Sequence, residues 1–341
     1  MTGMMLGHLV EGIKEAGAEV ETINLRDKKI KSCIGCFTCW TKTPGKCVQK
    51  DDMSNEIYPK LLESDLAINA TPLYYHNMNG AMSTFRERTL PAVQPFFEIG
   101  EDGRNYHPLR HKVPGSVWLS VCGFPELSEF DALSDFLNRT KHKDVSIIAE
   151  IYRPSAGMMT AKFVKEIADD IIEATKKAGH EIFESLKVSK DTMERIRQPL
   201  VDSELFSKIG NDLWNSCITE GVTPKKLQEN KMVPRPSSIE TFMLFFRYGI
   251  NKESIRDRKA ILQFLFEEDD KGACYFTIKS DKVLSDQGIF KNPDITVRTS
   301  FELWMDIMTN KVDGQKMFLD QKYTIEGDLE LMIELFTPKE E

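Results

Sequence analysis

The chain has 341 residues, 41% hydrophobic and 29% charged, the makeup of a soluble globular protein long enough for about two domains of roughly 150 residues each. A formal net charge of −8 excludes a general binder of phosphate backbones, because counterion release needs a concentrated basic surface, so nucleic acid is not an expected partner. No run approaches the roughly 20 apolar residues that span a bilayer, and Met1 to Val10 lacks a basic leader with a long apolar block. An integral membrane protein is not expected, and the cytoplasm is the expected compartment. There the seven cysteines are reduced, and they read as metal ligands or core residues before they read as disulfides.

Leu6, Leu9, Val10 and Ile13 share one helical face, which predicts an opening helix with Gly17 as its left-handed cap. Strands are expected at Ala18–Leu25, Leu66–Thr71, Ser116–Val121 and Val145–Ile151. Their near-continuous apolarity suits parallel strands buried on both faces, with crossover helices between them, one over Ser54–Glu63. A stripe through Phe163, Val164, Ile167, Ala168, Ile171, Ile172 and Thr175 is expected to stop at Gly179 and to close an α/β domain.

Residues 187–250 read as mostly helical, with a linker near the charged stretch Lys225–Lys231 and the segment Pro234–Pro236. Beyond Asn251 the order becomes α+β: a helix over Ile255–Glu268, strands over Ala273–Ile278, Lys282–Ile289 and Asp294–Thr299, then helices. Thr299 and Glu302 have the spacing of a capping box ahead of a face made by Phe301, Trp304, Met305 and Met308. Asp328 is placed to cap a last helix in which Leu329, Met332, Ile333 and Phe336 face one way. The expected domains are therefore residues 1–186, a helical connector at 187–250, and 251–341.

The sharpest motif is Cys33-Ile34-Gly35-Cys36-Phe37-Thr38-Cys39 followed by Cys47. Two-residue spacings let three thiolates take three corners of an iron-sulfur cubane while the loop to Cys47 brings the fourth. A zinc site, which more often uses two separated CxxC knuckles, and a reduced thiol loop without metal remain open on spacing alone. Six histidines are scattered, and only His76 lies beside a loop of interest. No HExxH, GxxxxGK[ST] or GxGxxG pattern occurs, and no Ser/His/Asp order is readable. The carboxylate runs Glu267–Asp270 and Glu340–Glu341 read as solvated faces. Cys122, Cys217 and Cys274 read as buried thiols.

Cys33 to Trp40, Gly45-Lys46-Cys47, Asp51-Asp52-Met53, Thr71-Pro72-Leu73-Tyr74-Tyr75 with Met78 and Gly80, and Ser120-Val121-Cys122-Gly123-Phe124-Pro125 stand in an order that resembles the iron-sulfur flavoprotein branch of the flavodoxin-like NAD(P)H-dependent FMN reductases. The resemblance covers roughly residues 2–185. It implies a doubly wound parallel sheet with FMN at its carboxyl edge, Thr71, Pro72, Leu73, Tyr74, Tyr75 and Met78 on one side and Ser120, Cys122, Gly123 and Phe124 on the other. It also implies a 4Fe-4S cluster on Cys33, Cys36, Cys39 and Cys47, NAD(P)H as co-substrate, a small-molecule or protein electron acceptor, and a homo-oligomer. No catalytic acid or base is demanded, since hydride and electron transfer belong to the flavin.

The chain departs from that family at its start. Members open with a strand and a Gly/Ser-rich phosphate loop ahead of the first helix, whereas here only Thr2 aligns with the end of that loop. The expectation is a fold without the family's first strand, a weakened phosphate anchor, and a coding sequence that extends upstream. A non-catalytic, hydrophobic-ligand-binding protein on a degenerate flavodoxin-like scaffold is the competing reading. Asn292-Pro293-Asp294-Ile295-Thr296-Val297, Asp313-Gly314 and Tyr323-Thr324-Ile325-Glu326-Gly327-Asp328-Leu329 resemble a sterol carrier protein domain over about residues 255–337. That resemblance implies an α+β fold with a structural Gly-Asp turn and a tunnel for a fatty acyl or sterol-like ligand. Phe276, Ile278, Phe301, Trp304, Met305, Met308 and Phe318 are candidates for lining it, and an ordinary core built from the same residues is an equal alternative.

Overall fold

The computed structural model describes residues 1–250, 255, 258–266, 272–280 and 282–336. The chain divides into two compact units, Met1–Leu200 and Val201–Glu341. The connector expected at 187–250 is shared between them, its first part lying in the first unit and its remainder in the second.

The first unit opens with α1 (Thr2–Glu15), whose buried stripe is Met5, Leu9, Gly12 and Ile13, one position around from the stripe expected at Leu6 and Val10. Gly17 at φ +111° turns the chain out of the helix. The stretch 18–24 joins no ladder, so the strand expected at Ala18–Leu25 does not form. A strand exists only by pairing, and no strand precedes α1 among the described residues. The apolar side chains Ile23 and Leu25 instead pack on Met53, Ile57 and Tyr58. The expected crossover helix begins as a π-turn at Met53–Ile57 and continues as α2 (Tyr58–Glu63). Pro59 has no N–H for the regular i−4 bond, which accounts for the wide first turn.

Strands β1 (Leu66–Tyr74) and β2 (Asn77–Met78) form a tight hairpin, and α3 (Gly80–Glu87) follows. The short strands β3 (Glu98–Ile99) and β4 (Asn105–Tyr106) make a surface hairpin. Then come β5 (Gly115–Val121), α4 (Asp131–Thr140), β6 (Ile147–Arg153), α5 (Lys165–Ser185) and α6 (Lys190–Arg197). The sheet order is β2-β1-β5-β6, with β1, β5 and β6 parallel. One face meets α3 and α4 through Met82, Trp118, Leu133, Leu137 and Tyr152. Alternation along β5 turns Val117, Leu119 and Val121 to the opposite face, the side of α1 and α5. This is the doubly wound α/β arrangement.

The stripe expected to end at Gly179 runs on to Ser185. Gly179 is no terminator: it sits mid-helix facing Gly12, where a Cβ on Gly12 would fall 1.9 Å from the Lys176 carbonyl. The ion pairs Lys176–Glu11 and His180–Glu15 show that α1 and α5 run parallel.

The second unit begins with α7 (Ser203–Glu220), α8 (Pro224–Glu229) and α9 (Ile239–Gly249), each with a side-chain N-cap, from Asp202, Thr223 and Ser238. The helix expected over Ile255–Glu268 is replaced by β7 (Arg258–Phe266), residues 256–257 and 267–268 lying outside the described residues. So short a run of mostly apolar residues has no decisive period, and here Ala260, Leu262, Phe264 and Phe266 alternate into the core. Strands β8 (Gly272–Ser280), β9 (Lys282–Gln287) and β10 (Ile295–Thr299) follow, then α10 (Phe301–Met308), α11 (Gly314–Leu319), β11 (Thr324–Gly327) and α12 (Leu329–Phe336).

The sheet order is β11-β10-β7-β8-β9, antiparallel except for the β10–β7 pair. Ser300, not Thr299, caps α10, its Oγ accepting from the Leu303 N–H at 3.3 Å. Asp328 caps α12 as expected, accepting from the Leu331 N–H at 2.9 Å, but the buried face is Leu331 and Met332 while Leu329 is exposed. The side chains of Ile333 and Phe336 and the runs Glu267–Asp270 and Glu340–Glu341 lie outside the described residues.

Candidate functional site

Parallel strands send their carboxyl ends to one edge. Register places Thr71 beside Ser120, Pro72 beside Val121, and Val121 beside Arg153, so the loops after β1, β5 and β6 emerge together. The β1–β2 turn carries Tyr75 and His76 at φ +48° and +58°. Two successive left-handed residues make the primed turn that suits hairpin twist, at a cost of about 1 to 2 kcal/mol for each side chain. The turn presents Tyr74 and Tyr75 to solvent, and Phe124 stands exposed on the neighbouring loop. His76 faces Glu129 at 3.3 Å.

Beneath these rings the polar groups are fixed. Thr71 Oγ1 accepts from the Asn79 N–H at 3.1 Å, and Asn79 Oδ1 in turn caps α3 through the Met82 N–H at 3.0 Å. The Cys122 thiol donates to the Phe124 carbonyl at 3.3 Å, and burial pushes its pKa up to about 11, which makes it a packing residue rather than a nucleophile. Met78 and Cys122 belong to the core below the edge. Gly123 is open on the side where a Cβ would stand. Ser120 Oγ is buried with no hydrogen-bond partner among the described residues. Thr2 reaches the same edge: α5 starts just after the carboxyl end of β6, and α1 lies parallel to α5. The first turn of α1 has neither a side-chain cap nor an acidic residue, which leaves its N–H groups free for an anion.

Arg153 at the end of β6 was not singled out from the sequence. It is almost wholly buried, and its guanidinium donates to the carbonyls of Ile196 at 2.8 Å and Gln198 at 2.7 Å, tying β6 to the end of α6. Burial holds its pKa down to about 10.

Cys33, Cys36, Cys39 and Cys47 line one pocket of about 20 Å³, walled by Phe37, Leu90 and Pro91. Left-handed Gly35 and Phe37 turn the chain back on itself within the motif. The Thr38 hydroxyl and amide lower the pKa of exposed Cys36. Burial raises that of Cys39, and the neighbouring thiols add to the effect. A buried network supports the loop. The Arg88 guanidinium donates to Asp51 at 2.6 and 3.1 Å, to Ser54 Oγ at 2.9 Å, to the Lys31 carbonyl at 2.6 Å and to Cys47 Sγ at 3.4 Å. Burial alone would raise the Asp51 carboxyl, but the Arg88 guanidinium and the Lys31 and Ser54 amides outweigh it and hold the pKa down to about 2. Arg88 was invisible to sequence reasoning, because its partner Asp51 lies 37 residues away.

No three His, Cys, Asp or Glu side chains among the described residues are gathered so as to hold a single metal ion. A cubane takes one thiolate at each corner, and four cysteine thiols lining one pocket, with an N–H···S contact from Arg88, are a donor set that fits such a cluster. At the carboxyl edge, the exposed rings, the unpartnered Ser120 hydroxyl and the open first turn of α1 fit a flavin mononucleotide.

A family model for NADPH-dependent FMN reductases matches residues 1–124, and one for the SCP-2 sterol transfer family matches residues 246–337. The two matches leave residues 125–245 between them. An iron-sulfur flavoprotein of Archaeoglobus fulgidus is 29% identical over 208 residues, 61% of this chain and 84% of that protein. An iron-sulfur flavoprotein of Methanocaldococcus jannaschii is 37% identical over 87 residues, 26% of this chain, and the match spans only 43% of that relative. The crystal structure of sterol carrier protein 2 like 2 from Aedes aegypti aligns with 28% of this chain and 92% of its own, at 22% identity and a TM-score of 0.25.

In the SCP-2-like unit the Gly-Asp turn is structural. Gly327 at φ +103° leaves a hypothetical Cβ only 2.0 Å from the Asp294 carbonyl, which accepts from the Asp328 N–H at 3.2 Å. Asp294 Oδ2 accepts from the Ile261 N–H at 2.7 Å, so one aspartate joins β7, β10 and the β11–α12 turn. Phe276, Ile278, Phe301, Trp304 and Met305 are buried in one core with Phe242 and Phe246 of α9. Phe242 meets Phe264 and Phe276 edge to face at 5.2 and 5.8 Å. Met308 and Phe318 are only half-buried. The rings pack on one another within one core, and the sequence missed that α9 supplies part of it.

Proposed function

We propose that the chain is a flavin-dependent oxidoreductase with an appended lipid-binding module, acting in the cytoplasm as a homo-oligomer. The observation that carries this reading is one unit holding both an aromatic, left-handed loop edge beside a free helix N-terminus and a four-thiol pocket. When bound, FMN supplies hydride acceptance and one-electron transfer, and an iron-sulfur cluster supplies one-electron transfer. The chain's own part is positional. Tyr74, Tyr75 and Phe124 cover an isoalloxazine, Ser120 Oγ donates to it, and Pro72, Leu73 and Gly123 give backbone approach. Thr2 and the first amides of α1 hold the phosphate. Cys33, Cys36, Cys39 and Cys47 hold the cluster, with Arg88 steadying Cys47. NAD(P)H is the reductant, and a small molecule or a protein takes the electrons. The core around Phe301 and Trp304 opens to admit a fatty acyl or sterol-like chain. Among the described residues no helix is long and apolar enough to cross a membrane.

The test is anaerobic reconstitution with FMN, iron and sulfide. The expected result is one flavin per chain, bleached by NADH or NADPH, with about four iron atoms bound. A protein that takes up neither flavin nor iron supports a second reading, a hydrophobic-ligand binder on a degenerate scaffold. One observation favours that reading: among the described residues, β1 is paired on the side away from β5 only at Leu73 and Tyr74, by β2.

A further inference from the structure

Arg88 closes α3, its backbone N–H bonded back to the Thr84 and Phe85 carbonyls at 3.2 Å, and it stands in the wall of the four-thiol pocket. Among the described residues it is the one cationic side chain of that wall. The carboxylate there, Glu87, is exposed, so water and salt screen its charge. The Gln49 amide in the same wall is already committed to the Ser32 carbonyl at 2.9 Å.

The Arg88 guanidinium is almost wholly buried and grips the ligand loop at both ends. Nη1 donates at 2.6 Å to the carbonyl of Lys31, two residues ahead of Cys33. Nη2 donates at 3.4 Å to the sulfur of Cys47, the last thiol of the motif. Nη2 also meets Asp51 Oδ1 at 3.1 Å and Ser54 Oγ at 2.9 Å, so its two hydrogens serve three acceptors and one of them is shared. Asp51 offsets the positive charge, each carboxylate oxygen accepting from one Nη atom. Cys47 therefore meets an aimed N–H on a neutral pair rather than a bare cation. Exposed Cys36, in contrast, takes its hydrogen bonds from Thr38 of its own loop.

We propose that Arg88 sets the electron affinity of the iron-sulfur cluster through Cys47, holding its reduction potential above the value the four thiolates alone would give. The inference rests on the cluster reading stated above. Reduction brings one electron and no proton, supplied in that reading by the reduced flavin, and adds one negative charge spread over the cluster and its sulfurs. A hydrogen bond to sulfur strengthens as the sulfur grows more negative, so it favours the reduced state over the oxidised one. The shared Nη2 hydrogen can follow that change, moving toward Cys47 at the expense of Ser54. Arg88 is thus a positioning residue that acts through a ligand.

The test is anaerobic potentiometric titration of the reconstituted full chain with dithionite, following the paramagnetic signal of the reduced cluster alongside iron content. The double variant Asp51→Asn with Arg88→Met removes both charges at once, so no buried ion is left unpaired and the lost N–H is read by itself. At wild-type iron content, its ratio of reduced to oxidised cluster at the wild-type midpoint should fall about tenfold, which is a midpoint about 59 mV lower for a one-electron couple. Asp51→Asn alone keeps the N–H and uncovers the cation, so its midpoint should rise, whereas a purely structural role would shift both variants the same way. If the double variant does not fold, Arg88→Lys decides the matter. Its ammonium ends one bond short of the Nη atoms, which keeps the ion pair without the sulfur contact, and its midpoint should also fall. A wild-type chain that takes up no iron refutes the cluster reading itself. A loaded wild type with an unchanged midpoint in the Arg88 variants, or loss of iron from a folded Arg88 variant, overturns this role of Arg88 alone.

Discussion

A single methyl group placed on Gly179 tests the packing of the first unit. On the parallel α1–α5 contact that methyl would stand 2.3 Å from the Leu9 carbonyl oxygen and 2.8 Å from the Ile13 nitrogen, where ordinary contact begins at 3.4 Å. Both obstacles are backbone, so the helices must part by about 1 Å, and a gap of that size forfeits roughly a quarter to a half of the dispersion well. Met5, Leu9 and Ile13 are the fully or nearly fully buried side chains that lose contact. With each such burial worth about 1.5 to 3 kcal/mol, the lost packing exceeds the roughly 1 kcal/mol that alanine gains over glycine in a helix. Gly179→Ala should therefore destabilise the first unit by about 1 to 2 kcal/mol.

Gly210 is the control. It lies inside α7 with nothing within 4 Å of a hypothetical Cβ, so Gly210→Ala should stabilise by up to about 1 kcal/mol through helix propensity alone. Two units that can unfold separately have no single melting point, so the suitable assay is native-state hydrogen exchange of the α1, α5 and α7 amides. Unchanged or increased protection of α1 in Gly179→Ala would refute the close helix contact.

Asp51 has its pKa held down to about 2 against an ordinary 3.8, so it contributes stability above pH 3.8 that is lost as pH falls toward 2. Asp51→Asn should flatten that acid limb in a pH-resolved denaturation series and cost about 3 to 5 kcal/mol by leaving Arg88 buried opposite a neutral amide. Trp304→Ala should remove about 3 to 5 kcal/mol from the second unit, read from urea unfolding of the full chain, because its ring is packed against Phe264 at 4.9 Å. Cys36→Ser should lower iron and acid-labile sulfide in anaerobic preparations by at least one cluster equivalent while leaving flavin absorbance in place. Equal loss of both signals would mean the two sites are not separate.

The parallel strands of the first unit were legible because buried parallel strands are continuously apolar, and the cysteine motif was legible because its spacing is local. What failed depended on partners. Ala18–Leu25 has strand composition, but composition cannot supply a neighbouring strand. Arg258–Phe266 reads equally as helix or strand until α9 is known to cover it. Gly179 looked like a stop because a glycine's need for closeness comes from another helix, here through Gly12. The edge residues Tyr74, Tyr75 and Phe124 were found by motif, yet the supports beneath them were not: Arg88 and Arg153 act on groups about 40 residues away along the chain.

Asp294 carries a kinetic consequence. Through it β7 gains a parallel neighbour only after β8 and β9 have been passed, a separation of 33 residues between Ile261 and its carboxylate. Closing a loop of that length forfeits chain entropy before any of the β10 ladder repays it. The β7–β8–β9 meander is thus free to assemble early. The β10–β11 strands and α12 join it late and together, when the aspartate locks Ile261 on one side and the Gly327-Asp328 turn on the other. Changes at Asp294 should accordingly slow refolding of the second unit more than they alter its early collapse.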